Sequence, residues 1–115
     1  MSITHAQSGE VIVLPLGPGL ATSRTTTLLK TDHLELIRLV LNEGRSIPIH
    51  RAPGEITVQC LEGRVAFTVG SSTQELLPGT IIYLSAGEPH AVTAIEPSAL
   101  LLTLTTPHGR KPATP

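Results

Sequence analysis

Cysteine occurs once, at Cys60, so no disulfide can form within the chain and a secreted, disulfide-stapled scaffold is excluded. Tryptophan is absent and the aromatics amount to Phe67 and Tyr83, which leaves no stacking platform for single-stranded bases. Neither sign of charge dominates. Eight lysines and arginines against nine acidic residues leave a formal net charge of −1, with no long-range pull toward nucleic acid or anionic lipid. No apolar run approaches the roughly 18–20 residues that cross a bilayer. Met1 to Glu10 lacks the basic patch and apolar core of a secretion signal, so a soluble cytoplasmic protein is expected. Sustained 3.6-residue apolar stripes with caps are missing too, which argues against helices.

What is present is punctuation. Ten glycines and ten prolines interrupt 115 residues that are 40% apolar and 15% charged, a composition for one folded domain with a sizeable core. Between them lie short runs rich in valine, isoleucine, leucine and threonine, the pattern of an all-β sandwich or barrel. Strands are expected over Val11–Leu14, Thr25–Lys30, Leu34–Asn42, Ser46–Arg51, Glu55–Leu61, Arg64–Val69, Thr73–Leu77, Thr80–Leu84, His90–Ala94 and Ala99–Thr105. Glu62-Gly63 and Gly70-Ser71-Ser72 supply hairpin chemistry, and Pro78-Gly79 suits the centre of a type II turn. The whole of residues 1–115 reads as one domain. Residues 1–20 form an N-terminal arm set off by Gly17-Pro18-Gly19, and residues 107–115 form a frayed tail.

The strand Leu34–Leu41 is apolar on both faces, with Leu34, Leu36, Arg38 and Val40 on one and Glu35, Ile37, Leu39 and Leu41 on the other. A strand of that kind is buried on both sides. In a small barrel the outer side then needs cover, so a homodimer is expected, formed by sheet packing or by exchanged N-terminal strands. Arg38, flanked by Leu36 and Val40, must find an anionic ligand or a carboxylate.

The chemistry gathers at two histidines. His50 follows Gly44 by six positions and precedes Gly54, Glu55 and Gly63; His90 follows Gly79 and Gly87. Pointing into one cavity, they would be half of a metal site. This pattern resembles the cupin superfamily, the small single-domain RmlC-like jelly-roll barrels of the cupin 2 type. Its first motif runs glycine, five residues, histidine, one residue, histidine, a few residues, glutamate, six residues, glycine. Gly44, His50 and Gly63 match it, whereas Ala52 stands at the second histidine position and Ile56 at the glutamate position, with Glu55 one residue off. The second motif runs glycine, five residues, proline, one residue, glycine, two residues, histidine, three residues, asparagine. Gly79, Gly87 and His90 match, while Ser85 replaces the proline and Ala94 the asparagine. The resemblance extends from about Leu34 to Leu104.

The resemblance implies a barrel whose mouth holds a divalent metal (Fe, Mn, Ni or Zn) on three histidines and a glutamate, in oxygenases, isomerases, epimerases and decarboxylases. Of those ligands His50 and His90 survive here; Glu55 joins them only through a bulge, since strand alternation turns Ile56, Val58 and Cys60 inward and Glu55, Thr57 and Gln59 outward. Two histidines completed by water hold metal weakly. The expected cavity comprises His50, Ala52, Ile56, Val58, Cys60, His90, Arg38 and Tyr83. Cys60 can be a thiol ligand or an apolar filler, and Tyr83 a cavity hydroxyl or a packing group.

Ala52 and Ile56 trade ligation for a drier cavity, so the first expectation is a ligand-binding or sensing protein for a small organic molecule, with its metal site reduced or lost. The alternative is a metal-dependent oxygenase or isomerase using His50 and His90. A third reading is a dimerising barrel without a ligand. No phosphate-binding glycine loop opens a helix, no nucleophile elbow is present, and the acidic residues form no acid–base pair.

Overall fold

The computed structural model describes residues 5–14 and 24–107, and its architecture is all-β. Seven strands run in chain order: β1 (Thr26–Lys30), β2 (Leu34–Leu41), β3 (Ser46–His50), β4 (Ile56–Val69), β5 (Ser72–Leu76), β6 (Ile81–Leu84) and β7 (His90–Thr105). All pairings are antiparallel. Among the described residues no helix is long and apolar enough to cross a membrane.

Two long strands make the barrel. The first half of β4 lies between β6 and the second half of β7, which continues outward to β2 and β1. The second half of β4 lies between β5 and the first half of β7, which continues to β3. Each long strand therefore passes from one sheet into the other, and the two inner faces enclose the core. That core joins Leu41, Ile56, Val58 and Cys60 to Val65, Phe67, Leu76, Leu84, Val92, Ala94 and Leu100.

The sequence divides β4 at Glu62-Gly63, where a hairpin is expected. The structure instead keeps one strand and places a bulge there, with ladder irregularities between Cys60 and Val65. Gly63 takes φ +84°, and a Cβ on it would stand 2.2 Å from the Pro97 carbonyl oxygen, so only glycine fits. The buried Ser98 hydroxyl fixes the bend: it accepts from the Arg64 N–H at 2.9 Å and lies 2.7 Å from the Glu96 carbonyl to which it donates. The extra residue resets the inward parity of the strand. Ile56, Val58 and Cys60 point inward before it, and Val65 and Phe67 after it. The runs His90–Ala94 and Ala99–Thr105 likewise fuse into β7, with Pro97 at the bend, where no ladder N–H is required.

The other turns follow their residues. Gly79 takes φ +89°, and the Thr80 N–H donates to the Leu77 carbonyl at 3.0 Å, as a type II turn centred on Pro78-Gly79 requires. Gly70-Ser71 closes the hairpin between Val69 and Ser72. Val11–Leu14 is not a strand: it pairs with no other described segment, and Val11 and Val13 are exposed. The arm boundary at Gly17-Pro18-Gly19 and the tail beyond Pro107, including His108, lie outside the described residues.

Candidate functional site

The last residue of β3 and the first of β7 are Cα partners, so His50 and His90 stand side by side at one rim of the barrel. Their ring centroids are 4.2 Å apart with an interplanar angle of 62°. The Phe67 ring lies 5.7 Å from the His90 ring and nearly parallel to it, at 9°. His90 is 5% exposed and His50 is at the open mouth.

Each imidazole is tied to the carbonyl two residues before it. His50 Nδ1 lies 3.0 Å from the Pro48 oxygen, and His90 Nδ1 lies 2.9 Å from the Glu88 oxygen. A carbonyl only accepts, so both Nδ1 atoms carry the proton and, in the neutral rings, both Nε2 atoms are bare acceptors. Burial lowers the pKa of His90; the bond to the Glu88 carbonyl opposes this, neighbouring His50 adds to it, and the Glu88 carboxylate opposes it again. At neutral pH His90 is therefore an uncharged imidazole.

Beneath the pair is a cavity of about 30 Å³ whose walls, besides the histidines, are Val58, Phe67, Leu100 and Leu102 with Leu39, Ile47 and Val92. Val58 is the other expected residue that lines it. Ile56 and Cys60 point inward but belong to the packed core, and Ala52 packs against that core from the side. Arg38 and Tyr83 were expected in the cavity and stand elsewhere. In β2 it is Leu39 that lines the cavity, so Arg38 faces outward, where its Nη2 donates to the Arg24 carbonyl at 3.1 Å. Tyr83 is 58% exposed and donates its hydroxyl to the Glu55 carboxylate, which raises its pKa.

The residues do not fit a centre of three histidines and a carboxylate. Ala52 and Ile56 carry no donor atoms, and Glu55 is turned to the outer face by the alternation that brings Ile56 inward. The Cys60 Sγ is directed to the Glu62 and Gly63 carbonyls, and burial raises its pKa, so it remains a thiol at neutral pH. Among the described residues no three His, Cys, Asp or Glu side chains gather closely enough to hold a metal ion.

Sequence reasoning misses Phe67, Leu39, Ile47, Val92, Leu100 and Leu102. Val92 is two positions from His90 and was recoverable by alternation; Phe67 was hidden because its inward parity depends on the bulge at Gly63.

Residues 37–105 match the family model described as a cupin domain. No curated protein matches the chain. Among solved structures, a conserved protein of unknown function from Streptococcus pyogenes is 25% identical with a TM-score of 0.72, over 94% of this chain and 96% of that one. A cupin superfamily protein from Desulfitobacterium hafniense is 16% identical with a TM-score of 0.72, over 91% and 97% of the two chains. An RmlC-like cupin with a double-stranded β-helix fold, from Methanocaldococcus jannaschii, is 17% identical with a TM-score of 0.71, over 88% and 95%. With more than half of its length matched by the family model, and with the barrel those proteins share, this chain belongs to the cupin family.

Proposed function

We propose that the protein binds a small organic molecule at the barrel mouth, one that places a short alkyl tip in the cavity and donates a hydrogen bond to the histidine pair. The observation that carries this reading is the matched tethering of His50 and His90, which leaves two acceptor nitrogens above an apolar well. An acceptor pair selects a donor, such as an alcohol or phenol, over a ketone or ether. A well of about 30 Å³ takes one or two carbons, so the rest of the ligand lies over the open side near His50. At about 0.8 kcal/mol per buried CH₂, the tip alone supports only weak affinity.

The test is a chemical-shift titration of the full chain at neutral pH with propan-1-ol and, in parallel, with acetone. The reading predicts that propan-1-ol moves the His50, His90 and Phe67 ring signals, that acetone does so far less, and that His90→Leu removes the difference. Equal shifts with both probes contradict it.

The alternative is a metal-dependent oxygenase or isomerase. It is favoured by the same Nδ1 tethers, because a metal-ligating histidine characteristically donates its other N–H to a carbonyl or carboxylate. His50 and His90 would then hold Fe, Mn, Ni or Zn, with water completing the shell. Calorimetric titration of each ion into the wild type, His50→Ala and His90→Ala discriminates: binding that both variants retain unchanged rules this reading out.

A further inference from the structure

On the opposite face of β4 from the histidine cavity lies a second hollow, of about 190 Å³, whose polar lining is Glu55, Thr57, Tyr83, Thr103 and Thr105. Its residues are placed by strand register. Tyr83, Thr57 and Thr103 form one row across β6, β4 and β7, and Glu55 and Thr105 face the same way one step further along. The carboxylate is held in place from two sides. The Glu55 carbonyl accepts from the Thr105 N–H at 3.0 Å and from the Thr105 hydroxyl at 2.9 Å, while the Tyr83 hydroxyl donates to Glu55 Oε2. A Cβ on Gly54 would strike the Thr105 carbonyl oxygen, so glycine is what lets Glu55 sit this close to β7. Glu55 Oε1 is left without a donor, and among the described residues no cation pairs with this carboxylate. The half-buried Thr57 and Thr103 hydroxyls likewise have no partner among the described residues.

We propose that this hollow binds a small primary amine as its ammonium ion. An ammonium carries three donors and no acceptor, and the hollow offers three acceptors: Glu55 Oε1 and the Thr57 and Thr103 hydroxyl oxygens. With adjacent strands about 4.8 Å apart and same-face neighbours about 7 Å apart along a strand, one such group spans all three. The Tyr83 ring, 58% exposed beside them, covers the alkyl chain and attracts the cation through its face. No cationic side chain lines the hollow, which excludes an anion. A neutral polyol makes the same hydrogen bonds but leaves the carboxylate charge unanswered, so it binds less well. The hollow is open to solvent, and the affinity is accordingly modest and screened by salt.

Chemical-shift titration of the full chain at neutral pH and low salt, with propylammonium chloride, propan-1-ol and glycerol in parallel, tests this. Tyr83 is the only tyrosine, so its ring signals are unambiguous, and the Thr57 and Thr103 methyl signals complete the readout. Propylammonium is expected to move all three and added sodium chloride to reverse the change. Propan-1-ol, the probe for the barrel mouth, leaves them in place, so the two sites are read separately. Glu55→Gln, which keeps an acceptor for the Tyr83 hydroxyl but removes the charge, weakens propylammonium binding roughly fivefold. Glu43→Gln, at another exposed carboxylate, does not. A wild type without response, equal shifts with propan-1-ol or glycerol, or binding that Glu55→Gln leaves intact overturns the proposal. So does a Tyr83 ring shielded from a soluble paramagnetic probe, as contact with a second copy would leave it.

Discussion

His50 and His90 share one register position across β3 and β7, and the same local bond, from Nδ1 to the carbonyl two residues back, orients both rings. The symmetry has a chemical consequence. Protonating either ring converts an acceptor into a donor and places a positive charge within 4.2 Å of the other ring centre.

Stability should therefore depend on pH through His90. Its folded pKa lies below the ordinary value of 6.5, so between the two values the unfolded chain binds more protons. The resulting stability is present above pH 6.5 and lost as pH falls through the lowered folded value. Urea denaturation between pH 7.5 and 5 should show this decline, and His90→Asn should flatten it.

The bulge makes a sharper demand on sequence. Replacing Gly63 by alanine sets a Cβ against the Pro97 carbonyl and the Ser98 side chain at a backbone angle that L residues resist. The expected loss is about 2–4 kcal/mol, from the strain of the left-handed backbone and overpacking together. Gly70→Ala also has a positive φ but meets open space, so it should cost less. Equilibrium unfolding of the pair measures the difference.

Leu100 is fully buried and forms part of the cavity wall. Leu100→Ala should lower stability by about 2–5 kcal/mol and deepen the well. Relative to wild type, the variant should favour butan-1-ol over propan-1-ol in the same chemical-shift titration.

Cys60 is sealed at 0% exposure and its pKa is raised by burial. Ellman's reagent should therefore leave the native protein unmodified at pH 8 and label one thiol per chain in denaturant. Rapid labelling of the native protein would mean that the barrel opens locally around Cys60.

Much of this was legible in the residues. Valine- and isoleucine-rich runs between glycines gave the strand positions, and alternation placed Ile56, Val58 and Cys60 inside and Glu55 outside. Alternation failed where the chain departs from period two. At Gly63 one extra residue reverses the parity, which hid Phe67 from the site. In β2 both faces are apolar, so the pattern separated Arg38 from Leu39 without telling which faced inward. Tyr83 posed a different problem: its outward direction follows from pairing with Thr57, a long-range register that local residues do not specify.

The central claim is that the barrel mouth presents two imidazoles tethered through Nδ1–H, whose Nε2 atoms are left to accept hydrogen bonds. Long-range ¹H–¹⁵N correlation spectra of the histidine rings at pH 7.5 test it most directly. The account predicts the Nδ1–H form for both His50 and His90, with unprotonated Nε2 signals that move when propan-1-ol is added. A proton on Nε2 of either ring, in the free protein at that pH, would contradict it.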